Sequence, residues 1–276
     1  MVRITALVLA ALAVSASAQN STLRYMPFGD SITEVVCWRS KLWTKLLQST
    51  EWASVNFVGS GRTENNCKDA TYDRDNEGHS GFLAIDIAAK NQLDGWLKTN
   101  PADVITMHLG TNDIVQQNKP VAEILAAFTK LVATMRASNA RMKIVVCYVL
   151  LFQRHVSAYP TLPYPYPASP LSNIHIPTHP CNPPNPAHQQ VAQIIPIGIG
   201  SYNTQIQALN AAIPAWARGL NSTASPIWVV DQYAGFNAAT DLRDGVHPND
   251  AGDVKMLNVW YPAVVRALEA ARAERA

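Results

Sequence analysis

Two blocks of the sequence carry residues whose types suit nucleophilic hydrolysis of an ester. Residues 29–33 contain the hydroxyl of Ser31, and residues 244–249 contain the imidazole of His247, with Asp244 three residues before it. Serine hydrolysis needs a hydroxyl activated by a base and a further group that orients the base. We therefore predict Ser31 as the nucleophile, His247 as the base that takes its proton, and Asp244 as the acceptor of the His247 Nδ1–H.

The developing oxyanion needs hydrogen-bond donors aimed at it. The backbone N–H groups of Ser31 and Gly81 and the side-chain amide of Asn112 are the predicted donors. Glycine at position 81 would let the backbone approach a ligand closely. Gly78 is the alternative to Gly81, and the spacing along the block together with the following Phe82 favours Gly81.

The elements that must position these residues alternate between strand and helix. Apolar patterns predict strands at 23–28, 55–58, 103–109, 143–146 and 227–231, and helices at 38–47, 83–97, 120–136, 203–220 and 250–275, the last broken near Pro262. Residues 60–80 are predicted to form a loop. This alternation predicts a mainly parallel sheet covered on both faces, with ligands at the carboxyl ends of the strands, where the blocks lie.

These blocks, in this order, carry a resemblance to a known family. The sequence resembles the SGNH hydrolases of the GDSL type over nearly all of the mature chain except residues 146–190. Residues 29–39, 77–82 and 110–113 are most similar to secreted fungal members near carbohydrate esterase family three. The resemblance implies an α/β fold, a three-layer α/β/α sandwich with a roughly five-stranded parallel sheet in flavodoxin-like order. It also implies one catalytic domain over residues 19–276, deacetylation of plant polysaccharide, typically xylan, and no cofactor.

Other functions remain open at this point. A lipolytic or general short-chain acyl esterase is the second candidate, and a non-catalytic carbohydrate-binding relative is the third. The expected partner is an acetylated polysaccharide or a small acyl ester. A formal net charge of +2 gives no case for nucleic acid, and we expect a monomer with no membrane partner. No metal site is expected, because the histidines outside the blocks are irregularly spaced.

Residues 146–190 do not fit this domain. They hold ten of the 18 prolines and four of the seven histidines, but no glycine. Removing them joins residues 143–145 to Val191 as one uninterrupted strand. The codons for Val146 and Cys147 can match an intron donor sequence, and a codon for Gln190 can match an acceptor sequence. The span is a whole number of codons, so its retention would preserve the reading frame. We therefore hypothesise a translated intron; a genuine surface lid or binding loop is the alternative.

Residues 1–18 predict a signal peptide, because one positive charge, a short apolar run and a small-residue end follow one another. The apolar run is shorter than a membrane anchor needs. A secreted, extracellular chain makes disulfides plausible, and four cysteines allow three pairings. A Cys37–Cys67 disulfide would brace the Ser31 helix against the loop leading to Gly81, and two free thiols are the alternative. Asn20 and Asn221 are candidate glycosylation sites.

Overall fold

The structure is a computed structural model that describes residues 22–69, 71–147 and 194–275. The predicted signal peptide, Asn20, Cys181 and most of the 146–190 segment lie outside the described residues. The strands are β1 (Arg24–Gly29), β2 (Asn56–Phe57), β3 (Glu77–Gly78), β4 (Val104–His108), β5 (Lys143–Cys147) and β6 (Ile227–Val230). The helices are α1 (Ser31–Glu34), α2 (Trp38–Leu47), α3 (Ala84–Ala89), α4 (Gln92–Thr99), α5 (Thr111–Gln117), α6 (Val121–Ser138), α7 (Asn203–Leu220) and α8 (Asp250–Ala273).

All the strands run parallel in one sheet. Its order is β2-β1-β4-β5-β6, which confirms the predicted flavodoxin-like order of the five main strands. The short β3 was not predicted, since it lies in the polar stretch expected to be a loop, and it pairs with the end of β1 through Phe28 and Glu77. The carboxyl ends of β1 and β4 therefore lie side by side, with Gly29 opposite His108.

Helices cover both faces of the sheet, as predicted. In β1, Met26 and Phe28 belong to one buried cluster and Tyr25 belongs to the other, because successive side chains point to opposite faces. The apolar faces of α3, α4, α6 and α7 fill the first cluster. Those of α2 and α8 fill the second, where Trp38 and Trp260 are in contact. The result is a three-layer α/β/α sandwich.

Two predicted helices differ from the observed ones. The helix predicted at 83–97 is divided at Asn91, which has a left-handed φ of 52°, a conformation that asparagine tolerates better than most residues. The predicted break at Pro262 is wrong, because α8 continues through it. Proline removes one helical hydrogen bond, but the fully buried neighbours Trp260 and Val264 hold the helix against the sheet.

Helix α5 was not predicted, and it begins directly after Gly110. Gly110 has a φ of +107°, and a Cβ there would lie 2.8 Å from a methyl carbon of Leu209. Only glycine combines this backbone conformation with the close approach of α7. The turn places Asn112 in the first turn of α5, at the carboxyl end of β4.

The two ends of the described chain meet at one carboxylate. Asp103, which precedes β4, accepts hydrogen bonds from the backbone and side chain of Arg24. Oδ1 of Asp103, which also accepts from the Arg24 side chain, lies 2.6 Å from the Arg275 guanidinium. Arg275 donates in addition to the carbonyl of Thr22. Residues 22 and 275 are therefore held beside each other.

Strand β5 includes the first two residues of the 146–190 segment. Val146 pairs with Met107 of β4, and Cys147 pairs with Val230 of β6. The described chain resumes at Ile194, and Ile194, Ile195 and Ile197 are all buried. None of the helices in the three described ranges has the length and apolar character needed to cross a bilayer.

Candidate active site

Ser31 is the first residue of α1, at the carboxyl end of β1. Asp30 caps this helix, because its Oδ1 accepts a hydrogen bond of 2.9 Å from the N–H of Ile32. Asp30 is completely buried, and burial together with the nearby Asp113 raises its pKa to about 7 despite that hydrogen bond. It therefore fixes the turn that presents Ser31.

Arg39 holds the other end of α1. Its buried guanidinium donates to the carbonyls of Thr33 and Glu34 in α1, at 2.7 and 2.9 Å, and to the carbonyls of Thr63 and Arg74 in the long loop. Burial lowers the pKa of this group. Sequence reasoning missed this role, although an arginine inside the apolar face of a helix was a signal that could have revealed it.

Asp244 and His247 form a hydrogen-bonded pair on one turn. The His247 Nδ1 lies 2.7 Å from Asp244 Oδ2, while Oδ1 accepts the backbone N–H groups of His247 and Val246 at 2.8 and 3.0 Å. Burial raises the pKa of Asp244, but these hydrogen bonds outweigh it and lower the pKa to about 2. The carboxylate is therefore charged at neutral pH and orients the ring, as predicted.

The second ring nitrogen of His247 is the one that would act as the base. Nε2 is buried and has no hydrogen-bond partner within the described residues. No hydrogen bond joins it to Ser31 in this structure, so their pairing stays a prediction. The turn nevertheless contacts the helix that carries Ser31. The neighbouring Arg243 side chain donates a hydrogen bond of 2.8 Å to the carbonyl of Val35, the residue directly after α1.

The predicted oxyanion donors lie on two adjoining segments. The Asn112 amide donates to the carbonyl of Phe82 at 3.1 Å, and Gln116 donates to the carbonyl of Gly81 at 3.0 Å, so α5 holds the Gly81 segment. Within the described ranges, the backbone N–H groups of Ser31 and Gly81 donate no hydrogen bond. Both are therefore available to a ligand.

Gly78 is a poor alternative to Gly81. Its N–H is bound to the side chain of Asn76 at 2.9 Å, and a Cβ at Gly78 would lie 2.6 Å from the backbone nitrogen of Glu34. Gly81 instead has an exposed backbone and a φ of +80°. The geometry supports the prediction that Gly81 supplies the oxyanion donor.

Two buried carboxylates that were not predicted hold helices at the site. Asp113 accepts the N–H groups of Ala84 and Ile85, at the start of α3. Asp253, at the start of α8, accepts the N–H groups of Cys37 and Trp38, at the start of α2. Burial raises the pKa of Asp253 to about 7, although the two backbone donors oppose it. These contacts join segments far apart in sequence.

The Cys37–Cys67 disulfide is present, as predicted. It joins the residue before α2 to the loop that leads towards Gly81, and Tyr72 packs against it. The part of the chain that the structure describes contains no cluster of three or more histidine, cysteine, aspartate or glutamate side chains suited to a metal.

Comparisons with known proteins show the family and the fold of the chain. Residues 28–254 match the sequence profile of the GDSL-like Lipase/Acylhydrolase family. No curated protein sequence matches the chain.

Solved structures share the fold over most of their length. An acetyl esterase serine-to-alanine mutant with acetate ion is 28% identical, with a TM-score of 0.68, and the match covers 90% of this chain and 99% of that one. A carbohydrate esterase of family 3 from Talaromyces cellulolyticus is 29% identical, with a TM-score of 0.69 and the same coverage. A family 3 carbohydrate esterase from Clostridium thermocellum is 22% identical, with a TM-score of 0.61 over 92% of this chain and 100% of that one, and supports the fold alone.

Proposed function

The chain belongs to the GDSL-like lipase/acylhydrolase family and is a carboxylic ester hydrolase, and from this premise we propose that it removes O-acetyl groups from plant cell-wall polysaccharide outside the cell. The observation that carries the proposal is the Asp244–His247 pair, whose unpartnered Nε2 lies on the turn that Arg243 ties to the Ser31 helix.

The reaction proceeds through an acyl-enzyme. His247 Nε2 takes the proton of the Ser31 hydroxyl as Oγ attacks the ester carbonyl carbon, while Asp244 stabilises the imidazolium. The negative charge on the carbonyl oxygen is met by the N–H groups of Ser31 and Gly81 and by the Asn112 amide, and loss of one such donor typically costs 10²–10³ in kcat, or about 3–4 kcal/mol. His247 then protonates the leaving sugar oxygen.

The second half-reaction restores the enzyme. Water takes the place of the sugar alcohol, His247 removes its proton, and the hydroxide attacks the acetyl-Ser31 ester. Collapse of the tetrahedral intermediate breaks the Ser31 Oγ–carbon bond, returns the proton to Oγ and releases acetate. The residues named supply every proton transfer.

The acetylated polysaccharide and the location are inferred from two sources. The acetyl esterase and the fungal family 3 carbohydrate esterase, at 28% and 29% identity, support an acetylated carbohydrate substrate. The leader-like residues 1–18 and the disulfide support secretion. Asn221 is exposed at the end of α7, as a glycosylated asparagine must be.

Acetate release tests the proposal directly. The secreted enzyme should release acetate from acetylated xylan with a higher kcat/KM than it shows on soluble esters of eight or more acyl carbons. A reversed preference would favour the second candidate, a lipolytic or general acyl esterase, and glycan binding without turnover would favour the third.

Ser31→Ala is the matched control for this assay. Removal of the nucleophile should lower kcat by at least 10⁴-fold, while the circular dichroism spectrum and Tm stay those of the parent enzyme. Near-full activity in this variant would contradict the assignment of Ser31.

A further inference from the structure

The most exposed aromatic side chain beside the predicted oxyanion donors is Phe82. Its side chain is 36% exposed although it is large and apolar. Its carbonyl accepts the Asn112 amide, and Gly81 precedes it in the chain. Phe82 is therefore an exposed aromatic residue in the same segment as the predicted Gly81 donor, and its backbone is in contact with the predicted Asn112 donor.

A stack of rings fixes Phe82 from below. The Phe82 ring lies 5.0 Å from the His79 ring at an interplanar angle of 24°, and His79 lies 4.1 Å from Trp96 at 18°. Trp96 in turn contacts Phe28 of the sheet. A hydrogen bond from the Phe82 N–H to the His79 carbonyl closes the turn at 3.1 Å. The exposed ring is thus the outer member of a supported column.

The middle ring of this column is held at its edge. His79 Nε2 lies 2.7 Å from Oε1 of Glu77, whose side chain is fully buried. The same carboxylate accepts the hydroxyl and the N–H of Ser60, at 2.6 and 2.9 Å. The backbone N–H of His79 also donates to the carbonyl of Gly29, two residues before Ser31. The column is therefore fixed relative to Ser31, and ligand binding needs little ordering of it.

We propose that the outer face of Phe82 is a sugar-stacking subsite, on which the pyranose ring carrying the scissile acetyl group lies during catalysis. This inference rests on the proposed function and names the part of the substrate that Phe82 contacts. A β-xylopyranose ring with equatorial hydroxyls shows axial C–H groups on both faces, and these suit the negative face of an aromatic ring.

The acyl group is the less suitable occupant of this face. A fatty acyl chain needs a concave apolar channel, whereas Phe82 is an exposed, supported plane. A cavity of about 530 Å³ is lined by α2, the Cys37–Cys67 region and the start of α8, and neither Ser31 nor Phe82 lines it. The acetyl group is small enough to need no channel, so the sugar is the part that requires a platform.

The test compares two acetate esters that differ only in the alcohol. Acetylated xylotetraose presents a sugar ring, and ethyl acetate presents none. In Phe82→Leu, which keeps an apolar side chain, the ratio of kcat/KM for the oligosaccharide to that for ethyl acetate should fall about tenfold. Phe82→Tyr keeps the aromatic face and should retain the parent ratio.

Three other outcomes would overturn the inference. One is an unchanged ratio in Phe82→Leu. Another is a Phe82→Leu variant whose ratio of ethyl butyrate to ethyl acetate hydrolysis changes while the oligosaccharide ratio does not, which would assign the ring to the acyl group. The third is an equal fall of the xylotetraose to ethyl acetate ratio in Phe82→Tyr and Phe82→Leu, which would show that the shape of the side chain matters and its aromatic face does not. Failure of the proposed function is distinguishable, because the parent enzyme would then not deacetylate xylotetraose at all.

Discussion

The predicted catalytic acid and base, Asp244 and His247, lie on a single turn, three residues apart. The Asp244 carboxylate accepts one ring N–H and two backbone N–H groups, so its charge and the ring orientation are set locally. The predicted nucleophile, Ser31, comes instead from the start of α1, more than 200 residues away in the sequence. The geometry of the base is therefore built into the turn, while its distance to Ser31 depends on the packing of α8 and α2.

This arrangement predicts the pH profile of the enzyme. A general base acts only while it is unprotonated, so a histidine base predicts a rate that falls towards acid pH. Asp244, with a pKa of about 2, stays charged between pH 4 and 8 and therefore causes no further loss of kcat/KM in this range. A kcat/KM profile for a soluble acetate ester between pH 4 and 8 measures this, and a flat acid side would contradict a histidine base.

The raised pKa of Asp30 predicts that the free energy of unfolding depends on pH. Its folded-state pKa of about 7 lies above the ordinary value of 3.8, so the folded protein binds its proton more tightly than the unfolded chain. The contribution of Asp30 to stability is fully present below about pH 4 and is lost as the pH rises through 7. The slope amounts to at most about 1.4 kcal/mol per pH unit.

Asp30→Asn separates this effect from the titration of other groups. The asparagine Oδ1 can still accept the Ile32 N–H, but the side chain no longer ionises. Urea unfolding between pH 5 and 8 should show a shallower loss of stability in the variant than in the parent. Parallel curves for the two proteins would rule out Asp30 as the source, because Asp253 titrates in both.

At the scale of elements, the disulfide is the covalent link between the nucleophile side and the Gly81 side of the site. Cys37 and Cys67 close a loop with a sequence separation of 30. Loop closure of this length is worth about 3.5 kcal/mol in the chain-entropy treatment. We expect Cys67→Ser to lower the unfolding free energy by roughly this amount.

Cys37→Ser with Cys67→Ser provides the control for that experiment. The double variant should match the single one in stability, since both lack only the bond. A single variant as stable as the parent would show that α2 and the loop are held by Arg39 and Tyr72 rather than by the disulfide.

The sequence allowed the main strands, their order and most helices to be predicted, because their apolar periodicity reports directly on burial. It did not reveal features that depend on tertiary contacts. Pro262 was expected to break α8, yet packing around Trp260 outweighs the lost hydrogen bond. Helix α5 begins after Gly110, and the approach of α7 that requires a glycine there is a contact that no local pattern records.

The candidate site divides in the same way. Short motifs at strand ends point to the candidate site residues Ser31, Gly81, Asn112, Asp244 and His247. Arg39 and Asp253 were missed because they act on backbone groups of other segments, in one case 216 residues away. Such partners are set by the folded topology, and residue type alone does not identify them.

For the whole molecule, residues 146–190 are the segment that does not fit the predicted domain. We propose that it is a translated intron, and the described strand β5 supplies a test. Its removal places Val191 and Ala192 at the positions of Val146 and Cys147, between β4 and β6. A valine replaces a valine and an alanine replaces a buried cysteine, so both positions accept the change without overpacking.

Deletion of residues 146–190 should therefore raise soluble yield and specific activity on acetate esters. A control variant that keeps Val146 and Cys147 but replaces 150–190 by a short Gly-Ser linker separates loss of the segment from repair of the strand. Lower yield and lower activity in the clean deletion would show that the segment is a genuine lid or binding loop. Sequencing the mature transcript gives an independent answer.

The closure of the described chain at Asp103 has a consequence for protein engineering. Since Arg275 contacts both Asp103 and Thr22, a short linker from residue 275 to residue 22 would span the gap without disturbing a strand. New termini opened in place of residues 146–190 would then give a circular permutant that begins before α7 and ends in β5. In that permutant the turn with Asp244 and His247 precedes Ser31 in the chain, so the predicted order serine, aspartate, histidine becomes aspartate, histidine, serine on an unchanged sheet.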